Sequence, residues 1–395
     1  MRIRRMLGAL AASLLCASLT SGVELEFNGF GDITAGTNRG GPADGSDYAN
    51  FKAFGPADEL FNENDGFGIV GTDFVLTAHL TERLTYQGEI NFQTDRGSID
   101  EIEIDAERFY LDYELNEWLS VQGGLFFTPI GYHNRFLYSR AWLLHSIQVS
   151  DLFEEELNLM PTHTVGLQAH GTVELGGQSF NYAMGLGNAR GETPDSTSYA
   201  RKGFGGGLEV SGLVEWVPAG TDGTLIVGIS GWHSTIHTAL VGSGLGTTAD
   251  PELAPRAKLS ERGADAYVTY FGEHFNVLFE TFYGAVHDQR GNQPRDSVWT
   301  GGLTAELSLN LSNNRMHPYL RYDVTRLPDP SDDPFYGLRE EGGLLVCTFV
   351  TEFDGLMTGV SFDLNAHTRL KTEVLRNFDG AREDWAVQAQ VAFGF

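Results

Sequence analysis

The chain has 395 residues, of which 53 are acidic and 26 are basic, so its formal net charge is −27. Such an excess of carboxylates repels nucleic acid, and an aromatic content of 12% argues against a disordered polymer. The only cysteines are Cys16 and Cys347, which excludes a framework of several disulfides.

The first 22 residues are typical of a secretory signal peptide. Arg2, Arg4 and Arg5 precede a short apolar run over 6–19, and small residues follow it. A membrane anchor is the alternative, but the run is short for a spanning helix. We therefore expect export, cleavage near Gly22 and a single domain over 23–395. Because three basic residues leave with the signal, the net charge of the remainder is −30.

Downstream of the signal, apolar and polar residues alternate in segments of about ten residues. The pattern is clearest over 84–93, 165–175 and 385–395, and its period of two predicts β-strands with one apolar and one polar face. No apolar run reaches the roughly 18 residues of a spanning helix, so the chain is either soluble or crosses a membrane as a closed barrel.

The connections between these segments alternate between short and long. Seven tight turns are predicted near 81–83, 116–117, 176–178, 218–223, 272–274, 309–314 and 366–368. The long links are 37–66, 94–100, 128–162, 189–203, 234–262, 286–297, 326–353 and 377–383. This layout predicts an all-β, transmembrane antiparallel barrel of sixteen strands with short periplasmic turns and long outer loops. Residues 342–351 leave open a hairpin within a link, or additional strands that would make eighteen.

Aromatic residues near the ends of several strands favour a membrane over a soluble β-sandwich, which remains the alternative. Tyrosine, tryptophan and phenylalanine form girdles at the two membrane interfaces of such barrels. The residues concerned are Phe27, Trp118, Phe180, Trp216, Phe275 and Trp385.

Three short segments resemble the sixteen-stranded bacterial outer-membrane porins, particularly the phosphate-selective porins O and P. They are Gly-Gly-Leu-Phe-Phe-Thr-Pro-Ile-Gly at 123–131, Asn-Tyr-Ala-Met-Gly-Leu-Gly-Asn at 181–188 and His-Pro-Tyr-Leu-Arg-Tyr-Asp at 317–323. The resemblance implies a homotrimer in the bacterial outer membrane, surrounded by lipid and lipopolysaccharide, with the third outer loop folded into the lumen. Trp385, Phe393 and Phe395 look like the signal read by the barrel-assembly machinery.

The sequence departs from anion-selective members of that group in its charge. Its four lysines, Lys52, Lys202, Lys258 and Lys371, cannot build the lysine clusters for which those members are known. Phosphate selectivity therefore does not follow from the resemblance.

The 128–162 link is long enough to require a role. Its charged residues of interest are Arg135, Arg140, Asp151, Glu154, Glu155 and Glu156. If the link lies inside the barrel, these carboxylates form a constriction that attracts cations and excludes anions. The alternatives are a solvated outer-loop surface or the first turn of a short helix.

Charged residues on the polar strand faces are expected to face the lumen, because a carboxylate facing lipid is costly. Those with predicted lumen positions are Glu89, Arg108, His170, Glu209, Arg321, Asp323, Lys371 and Glu373. A water-filled interior explains each of them without a specific binding site. Together they favour passage of small hydrophilic solutes with a mild preference for cations.

No catalytic motif, cofactor motif or metal-ligand spacing is recognisable, so we expect neither an enzyme nor a bound cofactor. Acidic stretches at 62–65 and 329–333 suggest bridging of Ca²⁺ or Mg²⁺ to surface lipid. Two alternatives to an open diffusion channel remain. One is a substrate-specific channel with a site near Phe126, Tyr132 and Trp142, and the other is a structural barrel that encloses a partner.

Overall fold

The computed structural model describes residues 23–39, 66–94, 102–137, 143–147, 150, 153, 160–189, 207–239, 256–288, 298–326, 338–341, 344–347, 353–378 and 384–395. The predicted signal peptide lies outside these residues. Within them, no helix has the length and apolar character needed to span a membrane.

Sixteen antiparallel strands close into one barrel, which confirms the predicted fold class and strand number. The strands up to β9 are β1 (Glu24–Arg39), β2 (Gly66–His79), β3 (Leu84–Thr94), β4 (Ile102–Asn116), β5 (Leu119–Phe127), β6 (His163–Leu175), β7 (Gln178–Asn188), β8 (Leu208–Val217) and β9 (Gly223–Ala239). They are followed by β10 (Arg256–Gly272), β11 (Phe275–Asp288), β12 (Val298–Leu309), β13 (Met316–Arg326), β16 (Phe353–Asn365), β17 (Thr368–Asn377) and β18 (Asp384–Gly394).

The first and last strands close the barrel. β1 pairs with β18 from Phe30 opposite Gly394 to Arg39 opposite Trp385. Beyond that ladder, Phe395 N–H donates to the Gly29 carbonyl at 2.8 Å, and Gly29 N–H donates to the Phe395 carbonyl at 2.9 Å. The barrel therefore has no open edge along this seam, as a sheet surrounded by lipid requires.

The region left open by the sequence is a hairpin outside the barrel. β14 (Leu338–Glu341) pairs with β15 (Leu344–Cys347), and neither strand joins the closed sheet. The eighteen-strand alternative is therefore wrong. All seven predicted turns occur between the expected strand pairs, so the two ends of the barrel carry short and long connections respectively.

The two faces of the strands have opposite polarity. On β8, Leu208, Val210 and Val214 are 44–56% exposed, whereas Glu209 and Glu215 are 1–2% exposed. An apolar exterior around a polar interior reverses the arrangement of a water-soluble protein. It matches the requirement of a barrel surrounded by hydrocarbon, which argues against the soluble sandwich.

Candidate functional site

The link between β5 and β6 enters the barrel, and its two ends are held together where it leaves the wall. Thr128 N–H donates to the Thr162 carbonyl at 2.9 Å. The Asn134 side-chain amide donates to both the Thr128 and the Thr162 carbonyls, at 2.9 and 3.0 Å. We call the described part of 128–162 the inward segment.

The inward segment first contacts Glu280, a buried carboxylate on β11. Tyr132 N–H donates to Glu280 Oε1 at 2.8 Å, and His133 N–H donates to Oε2 at 3.0 Å. His133 Nδ1 lies 2.6 Å from the same Oε2, and Gly131 N–H donates to Ser230 Oγ at 2.9 Å. A single carboxylate therefore satisfies two buried backbone N–H groups of the segment, which would be costly to leave without partners.

Gly131 allows this approach. Its φ is +66°, a left-handed conformation that favours glycine, and a Cβ added there would lie 2.1 Å from Glu280 Oε1. The conformation and the space therefore both require a residue without a side chain.

A five-residue π-helical turn, His133–Leu137, follows and packs against the wall formed by β7–β11. Arg135 Nη1 lies 2.7 Å from Glu215 Oε1 on β8, and Arg135 is 22% exposed. Tyr132 and Leu137 join a buried apolar cluster with Leu213 and Leu278. The Arg135–Glu215 ion pair and this apolar packing thus add to the hydrogen bonds with Glu280 in fixing the segment to this wall.

The second contact region lies at residues 143–147. Arg321 Nη1 donates to Ser146 Oγ at 2.7 Å, and Lys371 Nζ donates to the Ser146 carbonyl at 2.8 Å. Ile147 N–H donates to Glu373 Oε2 at 3.2 Å. All three wall residues lie on β13 or β17, and all three are 0–1% exposed.

His145 extends this region towards the turns of the barrel. Its Nδ1 lies 3.1 Å from Ser361 Oγ, and its ring stacks on His317 with 4.5 Å between centroids. Arg369 donates to the Leu144 carbonyl at 3.1 Å. Burial, reinforced by the positive charge of Arg369, lowers the pKa of His145 to about 3. The docked ring is therefore neutral.

These contacts carry the inward segment across the whole interior. In the circular order of sixteen strands, β13 and β16 lie eight positions from β5 and β6, which is the opposite wall. Ser361 and Lys371 flank the tight turn at 365–368, so the segment enters from the end with long links and reaches towards the end with short turns. Its position can restrict any passage through the barrel.

Of the predicted constriction residues, the structure describes Arg135 alone. Arg140, Asp151, Glu154, Glu155 and Glu156 lie outside the described residues, as does Trp142 of the alternative solute site. The same holds for the acidic stretches 62–65 and 329–333. Their predicted roles stay predictions.

The residues with predicted lumen positions lie on the polar strand faces, where they contact one another, other wall residues or the inward segment. Arg108 pairs with Glu89, and Arg321 pairs with Asp323 at 3.1 Å. Glu209 accepts from Thr164 Oγ1 at 2.8 Å. These five wall residues are at most 7% exposed.

His170 differs from the other predicted lumen residues, because its side chain is 30% exposed and lies 3.1 Å from Asp112 Oδ2. At the C-terminus, Trp385 and Phe395 are 41% and 58% exposed on the outer surface, and the Phe395 ring lies edge-on to Phe74 at 6.0 Å. Recognition of this strand by assembly machinery stays a prediction.

The interior is strongly acidic. Among the described side chains, eleven carboxylates are buried, compared with three arginines and lysines. The carboxylates belong to Asp32, Asp73, Glu89, Glu107, Glu209, Glu215, Glu261, Asp265, Glu280, Asp323 and Glu373, and the basic residues are Arg108, Arg321 and Lys371. In the same part of the chain, no group of three or more His, Cys, Asp or Glu residues is arranged to hold a metal ion.

Sequence reasoning assigned no role to Glu280. It also missed Gly131, Ser146 and His145. A glycine two residues after Pro129, at the start of a long link, was the signal available for Gly131. For Glu280, Ser146 and His145 no sequence signal exists, since their partners lie far away in the chain.

No protein-family model and no curated protein matches the chain. Its fold is similar to solved bacterial outer-membrane structures. The anion-selective porin of Comamonas acidovorans aligns with a TM-score of 0.56 at 12% identity, over 94% of this chain and 100% of that chain. The outer membrane channel DcaP of Acinetobacter baumannii gives 0.54 at 11%, over 95% and 98%. OmpT of Vibrio cholerae, an outer membrane protein in a trimer form, gives 0.52 at 9%, over 94% and 99%. Identities this low establish a shared porin-like fold and nothing finer.

Proposed function

We propose that this chain is a passive diffusion channel of the bacterial outer membrane, exported by residues 1–22 and assembled as a homotrimer in lipid and lipopolysaccharide. The observation that carries the proposal is the inward segment, which leaves the wall at β5 and β6 and is hydrogen-bonded to Glu280 on β11 and to Lys371 on β17, inside a barrel with an apolar exterior. A protein that only enclosed a partner would have no use for a polar segment across its interior. The fold shared with solved porins supports the same function.

The charge of the interior supports a preference for cations. Buried carboxylates outnumber buried arginines and lysines by eleven to three among the described side chains. In a narrow passage of low dielectric constant, such an excess attracts cations and opposes the entry of anions. Small hydrophilic cations are therefore the solutes that we expect to pass most readily.

A phosphate- or anion-specific channel has less support. Of the four lysines, Lys371 is the one whose side chain is described, and it donates to the Ser146 carbonyl. Phe126 and Tyr132, two of the aromatic residues considered for a solute site, are 1% and 8% exposed, so they are packed rather than available.

Reversal potentials test this proposal. The refolded protein is inserted into a planar bilayer that separates two KCl concentrations, and the zero-current voltage is measured. We expect the sign that indicates a higher permeability for K⁺ than for Cl⁻. A clear preference for Cl⁻ would contradict cation selectivity, saturable block by one solute would favour a substrate-specific channel, and negligible conductance would favour the structural barrel.

A further inference from the structure

The end of the barrel that carries the tight turns, here called the turn end, is covered on one side. His145 stacks on His317 and lies 3.1 Å from Ser361, and the Ser146 carbonyl accepts from Lys371. The three wall residues are at most 3% exposed, although each lies within five residues of the end of its strand at a tight turn. On β13, β16 and β17 the inward segment therefore covers the interior almost down to the turns.

A different side of the turn end is open. Glu26 on β1 lies 3.6 Å from His79 on β2, and their side chains are 52% and 42% exposed. Asp112 on β4 lies 3.1 Å from His170 on β6, and their side chains are 27% and 30% exposed. These residues also lie within five residues of the ends of their strands at the turns. Solvent therefore reaches the turn end beside β1–β6.

Strand alternation points these side chains inwards. Asp112 and Glu114 on β4 alternate with Leu111, which is 46% exposed on the outer surface, and Glu174 has the phase of His170 on β6. Glu114 and Glu174 are exposed as well. We call the solvent-accessible residues of this side the open sector: Glu26, His79, Asp112, Glu114, His170 and Glu174.

Charge differs between the two sides of the turn end. The described inner-face residues near the turns on β1–β6 include carboxylates but no arginine or lysine. On the covered side, Arg369 Nε lies 2.6 Å from Asp363 Oδ1. Arg135, which reaches the wall at β8, is paired with Glu215 at 2.7 Å. The accessible negative charge of the open sector is therefore not offset by basic side chains of its own strands.

Accessible carboxylates act on a passing ion differently from buried ones. Glu89 is paired with Arg108, and Glu280 accepts two backbone N–H groups. Such a carboxylate must give up part of this bonding to contact a cation, which costs free energy. A carboxylate that already faces water exchanges only water for the cation, and it attracts cations from a distance.

We propose that solutes cross the turn end through the open sector, and that its carboxylates form a second charge-selective region, separate from the predicted constriction. The inference rests on the proposed channel function, and it names the residues that favour cations over anions at this end. Because the inward segment covers β13, β16 and β17 here, the passage is off-centre and solutes pass beside β1–β6.

Reversal potentials of matched variants test the role of the charge. With the same KCl gradient, D112N/E114Q should lower the ratio of K⁺ to Cl⁻ permeability about threefold, because two carboxylates beside the passage lose their charge. The control D222N/E273Q removes the same two charges from exposed turn residues outside the open sector, and it should keep the wild-type ratio. An unchanged ratio in D112N/E114Q, or an equal change in the control, would overturn the inference.

Modification of introduced cysteines tests the position of the passage. Thr85 on β3 and Ser308 on β12 each lie one residue inside the end of their strand at a turn, but Thr85 is partly exposed and Ser308 is 1% exposed. In a Cys347→Ser background, a cationic methanethiosulfonate should modify Thr85→Cys on the order of tenfold faster than Ser308→Cys, because the reaction requires access. Rates are measured by mass spectrometry of the folded protein, and equal rates would contradict an off-centre passage.

Folding and function are checked separately. If D112N/E114Q does not fold, Glu174→Gln, changed at an exposed position beside a turn, should still lower the permeability ratio, and an unchanged ratio there would overturn the inference. A folded wild type that does not conduct, together with faster modification of Thr85→Cys, refutes the proposed function alone. A protein that conducts with a preference for K⁺ but shows equal modification rates refutes the open sector alone.

Discussion

Glu280 and Gly131 illustrate how single residues fix the inward segment. The carboxylate accepts two backbone N–H groups, and the glycine lets those groups come close enough. Neither residue acts without the other, because any side chain at 131 would occupy the position of the Glu280 carboxylate. The Glu280 carboxylate can therefore reach the backbone N–H groups of Tyr132 and His133 only because residue 131 has no side chain.

Gly131→Ala should be more damaging than the same substitution at a turn. Gly176 has a similar φ of +61° but open space around its missing Cβ. Gly176→Ala should lower the free energy of unfolding by about 1 kcal/mol, from backbone strain alone. Gly131→Ala should cost about 3 kcal/mol, because Glu280 must also move. Urea unfolding in lipid vesicles measures both, and equal losses would contradict the close approach.

Substitution of Glu280 should release the first contact region. Glu280→Ala leaves the N–H groups of Tyr132 and His133 without an acceptor, at a cost of about 3 kcal/mol. Single-channel recordings should show a larger and noisier conductance. Glu280→Gln keeps one acceptor oxygen and should be intermediate. A conductance in Glu280→Ala identical to that of the wild type would mean that this contact does not hold the segment.

His145 should make docking of the second contact region sensitive to acid. Burial lowers its pKa from the ordinary 6.5 to about 3, with Arg369, His317 and Lys371 also disfavouring the charged form and Asp363 favouring it. The undocked state therefore binds the extra proton. The contribution of the neutral His145 ring to the stability of docking is therefore fully present above pH 6.5 and is lost as the pH falls towards 3.

Conductance recorded from pH 7 to pH 4 tests this dependence. We expect it to rise or become noisier as the pH falls. His145→Gln, which can still hydrogen-bond but cannot titrate, should make the response shallower while other groups continue to titrate. The same slope in the variant and the wild type would exclude His145 as a contributor.

At the level of strands and links, the sequence was sufficient to predict nearly all the strands and turns of the barrel. Alternation with a period of two and a regular sequence of short and long connections predicted sixteen strands and seven turns, because both depend on neighbouring residues. The 342–351 region was ambiguous, since its apolar residues fit a hairpin as well as a crossing strand. Only the pairing of β14 with β15 resolves it.

The path of the inward segment was beyond such reasoning. The contact of Ser146 with Lys371 joins residues that are 225 positions apart, and that of Tyr132 with Glu280 joins residues 148 apart. A polar residue on a strand face carries no information about which loop residue it will meet. Composition and spacing therefore identified the interior face but not its partners.

Deletion of the hairpin tests the strand count. Because β14 and β15 pair only with each other, removal of 338–347 should leave the barrel closed. The deletion variant should refold, as shown by different gel mobilities of heated and unheated samples, and its conductance should be close to that of the wild type. A matched deletion of ten residues within β13 should abolish refolding. Failure of the hairpin deletion to refold would contradict a closed sheet of sixteen strands.

In the molecule as a whole, apolar side chains and buried charged side chains lie on opposite faces of the barrel wall. The exterior is apolar and the interior is acidic. This separation explains how a chain of net charge −27 can be compatible with a membrane, since eleven carboxylates of its described strands are buried on the inner face, away from the hydrocarbon. It also makes the electrostatic character of the passage a property of the whole barrel rather than of one residue.

Single-channel recording of the refolded wild-type protein in a planar bilayer tests the account most directly. A polar barrel interior crossed by a fixed segment predicts discrete, stable conductance steps, which become larger in Glu280→Ala. Silent bilayers, in the presence of protein that is demonstrably folded and inserted, would contradict the claim that this barrel is a channel.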